Sequence, residues 1–123
     1  ACALLLAVTG AYFSGVYSII FGGKKQPVVI VNGENQKRAM EIFLKARHEQ
    51  YNGKIDAAIS LLRQCTDVDP AFSEAYKQLG NIYASRGDQL NAAKNYRKYL
   101  DLSPNAQDAE SIRGIVRNLE EKR

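Results

Sequence analysis

A displacement of 34 residues lays the punctuation of this chain on itself. Gly53 falls on Gly87, Ala58 on Ala92, Asp67 on Asp101, Val68 on Leu102 and Pro70 on Pro104. Large apolar positions follow, Ile42 on Tyr76 and Leu62 on Tyr96. A fixed period of this length marks a unit too small to bury its own hydrophobic face, which becomes stable by stacking on a neighbour. Apolar residues recur at helical spacing on both sides of each repeated glycine, so the unit reads helix, turn, helix.

The first helix is expected from about Gln36 to Tyr51, stopping at Asn52-Gly53, a pair that tolerates the left-handed backbone of a helix end. Its partner spans Lys54 to about Thr66 and turns Ile55, Ala58, Ile59, Leu62 and Cys65 inward. Asp69 is expected to cap the next helix with Pro70 in its first turn, where a missing N–H costs nothing. The second pair runs from about Ala71 to Ser85 and from Asp88 to about Leu100. Ser103-Pro104 then starts a closing helix with Ala109, Ile112, Val116 and Leu119 on one face. Glu110, Arg113 and Arg117 stand where a third repeat needs large apolar residues, so this helix is a cap.

In the second copy, Tyr76, Leu79, Gly80, Tyr83, Ala92, Tyr96, Tyr99 and Pro104 resemble the tetratricopeptide repeat (TPR) pattern. The resemblance extends over about Ala39 to Arg123. In the first copy Lys45, Ala46 and Glu49 replace the family's Leu, Gly and Tyr. It implies an all-α, right-handed solenoid of two repeats, near 39–72 and 73–106, closed by a helix near 105–121. It also implies a partner-binding groove lined by the first helix of each pair. Carried over by position, the groove comprises Met40, Phe43, Arg47 and Tyr51, then Lys77, Asn81 and Ser85, then Asp108 and Ser111. Lys77 and Asn81 match the Lys…Asn pair with which some members hold a peptide carboxylate. Ile112 stands where the next asparagine would be, so the clamp is incomplete.

Ahead of the repeats lies a different object. No charge precedes Lys24, and all 17 Lys and Arg and all 13 Asp and Glu come from there onward. Residues 1–21 are uncharged and as a helix would be roughly 31 Å long, the thickness of a bilayer core. A transmembrane helix is the expectation, and a signal sequence is the rival reading. Ala3, Ala7, Ala11 and Gly15 recur every fourth residue beside Gly10, Ser14 and Ser18, a face on which another membrane helix packs closely. Tyr17, Phe21, Lys24 and Lys25 suit the interface. The basic pair, with Lys37 and Arg38, favours a cytoplasmic body in a bacterial inner membrane; a basic segment ahead of Ala1 would reverse that orientation. Residues 22–36 read as a linker, with Val28 to Val31 extended and Asn32-Gly33 a turn.

The net charge of +4 is spread without a basic run, which disfavours nucleic acid. Cys2 and Cys65 lie in different objects, which argues against an internal disulfide. His48 is alone on a helix between Arg47 and Glu49, and no metal cluster, phosphate loop or nucleophile with a base is present in the sequence. Arg86-Gly87-Asp88 spells an adhesion tripeptide at a turn that needs its glycine. Neither cofactor nor catalysis is expected. The expectation is a single-pass membrane protein whose TPR domain binds other proteins, as an accessory or assembly subunit of a membrane complex. The alternatives are an exported or soluble adaptor, and a substrate-presenting subunit of a cofactor-maturation machine.

Overall fold

The computed structural model describes residues 33–122. The expected membrane helix with its small-residue stripes, the extended Val28 to Val31 and the turn at Asn32 lie outside the described residues. Five helices follow in order: α1 (Gly33–Tyr51), α2 (Ile55–Val68), α3 (Ser73–Ser85), α4 (Gln89–Leu102) and α5 (Ala109–Glu121). There is no strand among the described residues, and no helix there is long and apolar enough to cross a membrane.

α1 packs on α2 and α3 on α4, the pairs meet through α2 and α3, and α5 closes the stack on α4. Each helix turns an apolar stripe inward. In α1 the stripe is Ala39, Ile42, Phe43 and Ala46, the spacing that places side chains on one helical face. α2 contributes Ala58, Ile59, Leu62 and Cys65, and α4 contributes Ala92, Tyr96 and Tyr99 to the same core. Ala58 and Ala92 are fully buried, small residues where paired helices lie close. Each large side chain taken from water here stabilises the fold by about 1.5–3 kcal/mol.

The two inter-helix turns are the same device used twice. Gly53 and Gly87 have φ of 77° and 76°, the left-handed region open to glycine. Lys54 N donates to Glu49 O at 2.9 Å and Asp88 N to Tyr83 O at 2.9 Å. Gly53 N donates to Gln50 O and Gly87 N to Ala84 O. This double bond pattern satisfies the last carbonyls of α1 and α3.

Helix starts depart from the sequence expectation. α1 begins at Gly33 rather than near Gln36, so the stretch read as the end of a linker is helical, with Glu34 in the first turn. An acidic group there interacts favourably with the helix dipole. α3 begins at Ser73, and Asp69 does not cap it. Proline disfavours helical backbone in the residue before it, and Asp69 is extended at φ −136°. Its carboxylate instead accepts the Ala71 amide at 3.0 Å, two residues on, making a turn. Ser103-Pro104 behaves alike. Ser103 is also at φ −136°, Ala106 N bonds Ser103 O, and α5 waits until Ala109. Asp88, with no proline after it, does cap α4, accepting from Asn91 N at 3.1 Å.

Candidate functional site

Stacking brings the first helices of the pairs to a shared surface. Met40 and Gln36 of α1 line one pocket with Ser73 and Glu74 of α3, and Lys77 of α3 reaches Asp108 at the start of α5. The positions expected to form the groove fall into three groups along it.

From α1, Arg47 is exposed, Met40 is 46% exposed and Tyr51 92% exposed. Phe43 is not on this surface. It is buried, its ring 5.2 Å from that of Phe72, so the position that carries Lys77 in the second repeat is part of the core in the first.

From α3, Lys77 is held within the chain. Its Nζ lies 3.0 Å from Glu74 Oε1 and 3.1 Å from Asp108 Oδ2, and 5.0 Å above the Tyr99 ring. Burial alone would lower this ammonium, but the hydrogen bonds to Glu74 and Asp108 raise it well above the ordinary lysine range. Tyr99 Oη donates to Asp108 Oδ1 at 2.5 Å. That bond first, then the one from Lys77, holds the Asp108 carboxyl below its usual value. Reciprocally, the bond to Asp108 and burial raise the Tyr99 hydroxyl. Asp108 precedes α5 yet makes no side-chain cap bond; its two oxygens accept from Lys77 and Tyr99 instead. A carboxylate ligand at Lys77 has to displace two carboxylates already there.

Asn81 is exposed, and its Oδ1 accepts the Tyr96 hydroxyl at 2.7 Å, which leaves the amide N–H groups for a partner. Ser85 and Ser111 are exposed, and Ser85 Oγ donates to Ile82 O. The contributors that position-by-position reading missed are Glu74, Tyr99 and the Asp69–Phe72 turn. Only Glu74 had a local signal, its i, i+3 spacing to Lys77.

Two other side chains of chemical interest lie among the described residues. His48 is exposed and its Nε2 lies 3.0 Å from Asn52 Nδ2. Cys65 is buried, donates to Ala39 O at 3.2 Å, and burial pushes its thiol up to about 11, further from the thiolate that reacts. Among the described residues no three His, Cys, Asp or Glu side chains converge as a metal site.

Residues 73–106, which carry α3, α4 and the turn after them, match the family model of the tetratricopeptide repeat. The chain is a tetratricopeptide repeat protein. Its TPR domain is similar to DnaJ protein P58IPK homolog B of Oryza sativa subsp. japonica, 30% identical over 84 residues, 68% of this chain and 18% of that protein. Cellulose synthase operon protein C of Escherichia coli is 30% identical over 88 residues, 68% of this chain and 8% of that protein. Heat shock protein STI1 of Saccharomyces cerevisiae is 25% identical over 103 residues, 71% and 18% of the respective chains. This TPR chain thus spans less than a fifth of the length of these relatives. TPR domains bind other proteins.

Proposed function

We propose that this TPR protein is a membrane-anchored adaptor that docks a partner protein on the α1/α3/α5 surface, as an accessory or assembly subunit of a membrane complex. The observation that carries the reading is the exposed set Met40, Arg47, Tyr51, Asn81, Ser85 and Ser111 on α1, α3 and α5. Apolar, aromatic, cationic and amide groups are exposed there, and such mixtures suit protein recognition. The relatives are named for a DnaJ protein, a heat shock protein and a cellulose synthase operon, and differ from one another in function while sharing the repeat. That pattern favours a binding role over catalysis for this domain.

The membrane half of the proposal rests on residues 1–21, uncharged and of spanning length, with the small-residue face Ala3, Ala7, Ala11 and Gly15 meeting integral partners. We assign the TPR domain to the cytoplasmic side of a bacterial inner membrane on the strength of Lys24 and Lys25. Resistance to carbonate extraction is expected; release into the carbonate supernatant points instead to an exported adaptor. The deciding experiment is a mild-detergent pull-down with mass spectrometry, comparing the full chain, a chain lacking residues 1–21, and Arg47→Glu with Tyr51→Ala. Loss of a shared partner in the double variant supports docking on the helix surface. Retention there, with loss on removing residues 1–21, places recognition in the membrane segment.

A further inference from the structure

The docking reading leaves open what the surface selects, and the inference here rests on that reading. Asp69 is the buried charged side chain among the described residues, 9% exposed. A buried carboxylate without a counter-charge is costly. Yet no ion pair among the described residues includes it. Among the described residues its Oδ1 accepts only the Ala71 amide. It lines a pocket of about 380 Å³ where α1 meets the start of α3. The walls include Met40, Ala71 and Phe72, the second acid is Glu74, and no basic side chain lines it.

Apolar walls with carboxylates of graded exposure suit a hydrocarbon stem that ends in a cation. A peptide's carboxylate would meet two acids here. Among the described residues no three His, Cys, Asp or Glu side chains converge, here or elsewhere, as a metal site. We propose that this pocket takes a lysine or arginine side chain of the bound peptide. The stem lies against Met40 and Phe72, and the cation meets the Asp69 carboxylate, with Glu74 alongside. Glu74 can turn to the ligand because Asp108 remains paired with Lys77.

The test uses the full chain in detergent to select from a phage library of random peptides. Selected sequences are expected to share one basic position, and synthetic copies with norleucine there to bind about tenfold weaker, the effect of losing a hydrogen bond to a charged group. Asp69→Asn, which keeps the acceptor for the Ala71 amide, is expected to erase the preference for lysine over norleucine. Glu74→Gln, a more exposed change that keeps the fold in hand, is expected to reduce it. Peptides without a shared basic position, or a preference unchanged in Glu74→Gln and Asp69→Asn, overturn the pocket assignment and leave docking on this surface intact. A library that yields nothing above the bare support overturns both.

Discussion

The two junctions of the stack use equivalent positions for opposite chemistry. At the second, Lys77, Tyr99 and Asp108 form an ionic cluster that joins α3, α4 and the start of α5. One period earlier the same positions are Phe43, Cys65 and Glu74. There Phe43 packs at a tilt against Phe72, Cys65 bonds the Ala39 carbonyl, and Glu74 is left to pair with Lys77. At these positions the second junction is held by charge and the first by apolar packing, while the first keeps its own ion pair, Arg86 with Asp56 of α2, elsewhere along its length. A helix–turn–helix backbone is indifferent to that choice, because its turns are made of main chain and glycine. What the choice alters is the surface: with Phe43 in place of a lysine, Asp69 has no cation among the described residues, while the charged cluster consumes Lys77.

The helix contacts within each repeat differ in a related way. Gly80 has no room for a side chain, since a Cβ there would lie 2.7 Å from two carbons of the Tyr96 ring. The first repeat has Ala46 and Leu62 at these places, a larger residue facing a smaller one. Gly80→Ala is therefore expected to destabilise the TPR domain by about 1–3 kcal/mol through overpacking. Adding Tyr96→Leu, which copies the first repeat, is expected to restore most of that. Urea unfolding followed by helical circular dichroism reads both, and a double variant no better than the single one would break the equivalence of the repeats.

A smaller effect comes from the helix starts. Lys54 and Asp88 occupy the same place with near-identical backbone, φ −85° and −81°, but only Asp88 caps its helix. Lys54→Asp is expected to gain about 1 kcal/mol from a new cap. Against this stands loss of an exposed 3.6 Å pair with Glu49, worth a few tenths of a kcal/mol at most. The same unfolding midpoint measures it, and no gain would mean that the α2 start differs from that of α4.

The smallest expected effect is on acid stability. The Asp108 carboxyl sits below its ordinary value, so it contributes stability above the unfolded carboxylate range and loses it as pH falls through the lowered folded value. Below about pH 4 the wild-type chain is expected to lose stability more steeply than Asp108→Asn. Unfolding midpoints across that range compare the two, and parallel curves would show that the second junction is not held by charge.

The repeat was legible in the sequence because its marks are local or periodic. Gly53, Gly87, the buried alanines and the stripe on α5 all lie where spacing put them. Helix starts after Pro70 and Pro104 were harder, since capping rules favour a start at once and the constraint on the residue before proline delays it. The surface was least legible. Phe43 was expected in the groove by position, but the core takes it, while Lys45 in the place of Leu79 is exposed. The Lys77–Asp108 contact spans 31 residues and exists only once the repeats are stacked.

The matching turns have one more consequence. Hairpin angle is set by main-chain bonds and a left-handed glycine that both repeats share, whereas hairpin thickness is set by the pairs Ala46 with Leu62 and Gly80 with Tyr96. Angle and thickness are thus written in different residues, and the curvature presented to a partner can drift through those pairs while each hairpin keeps its bend.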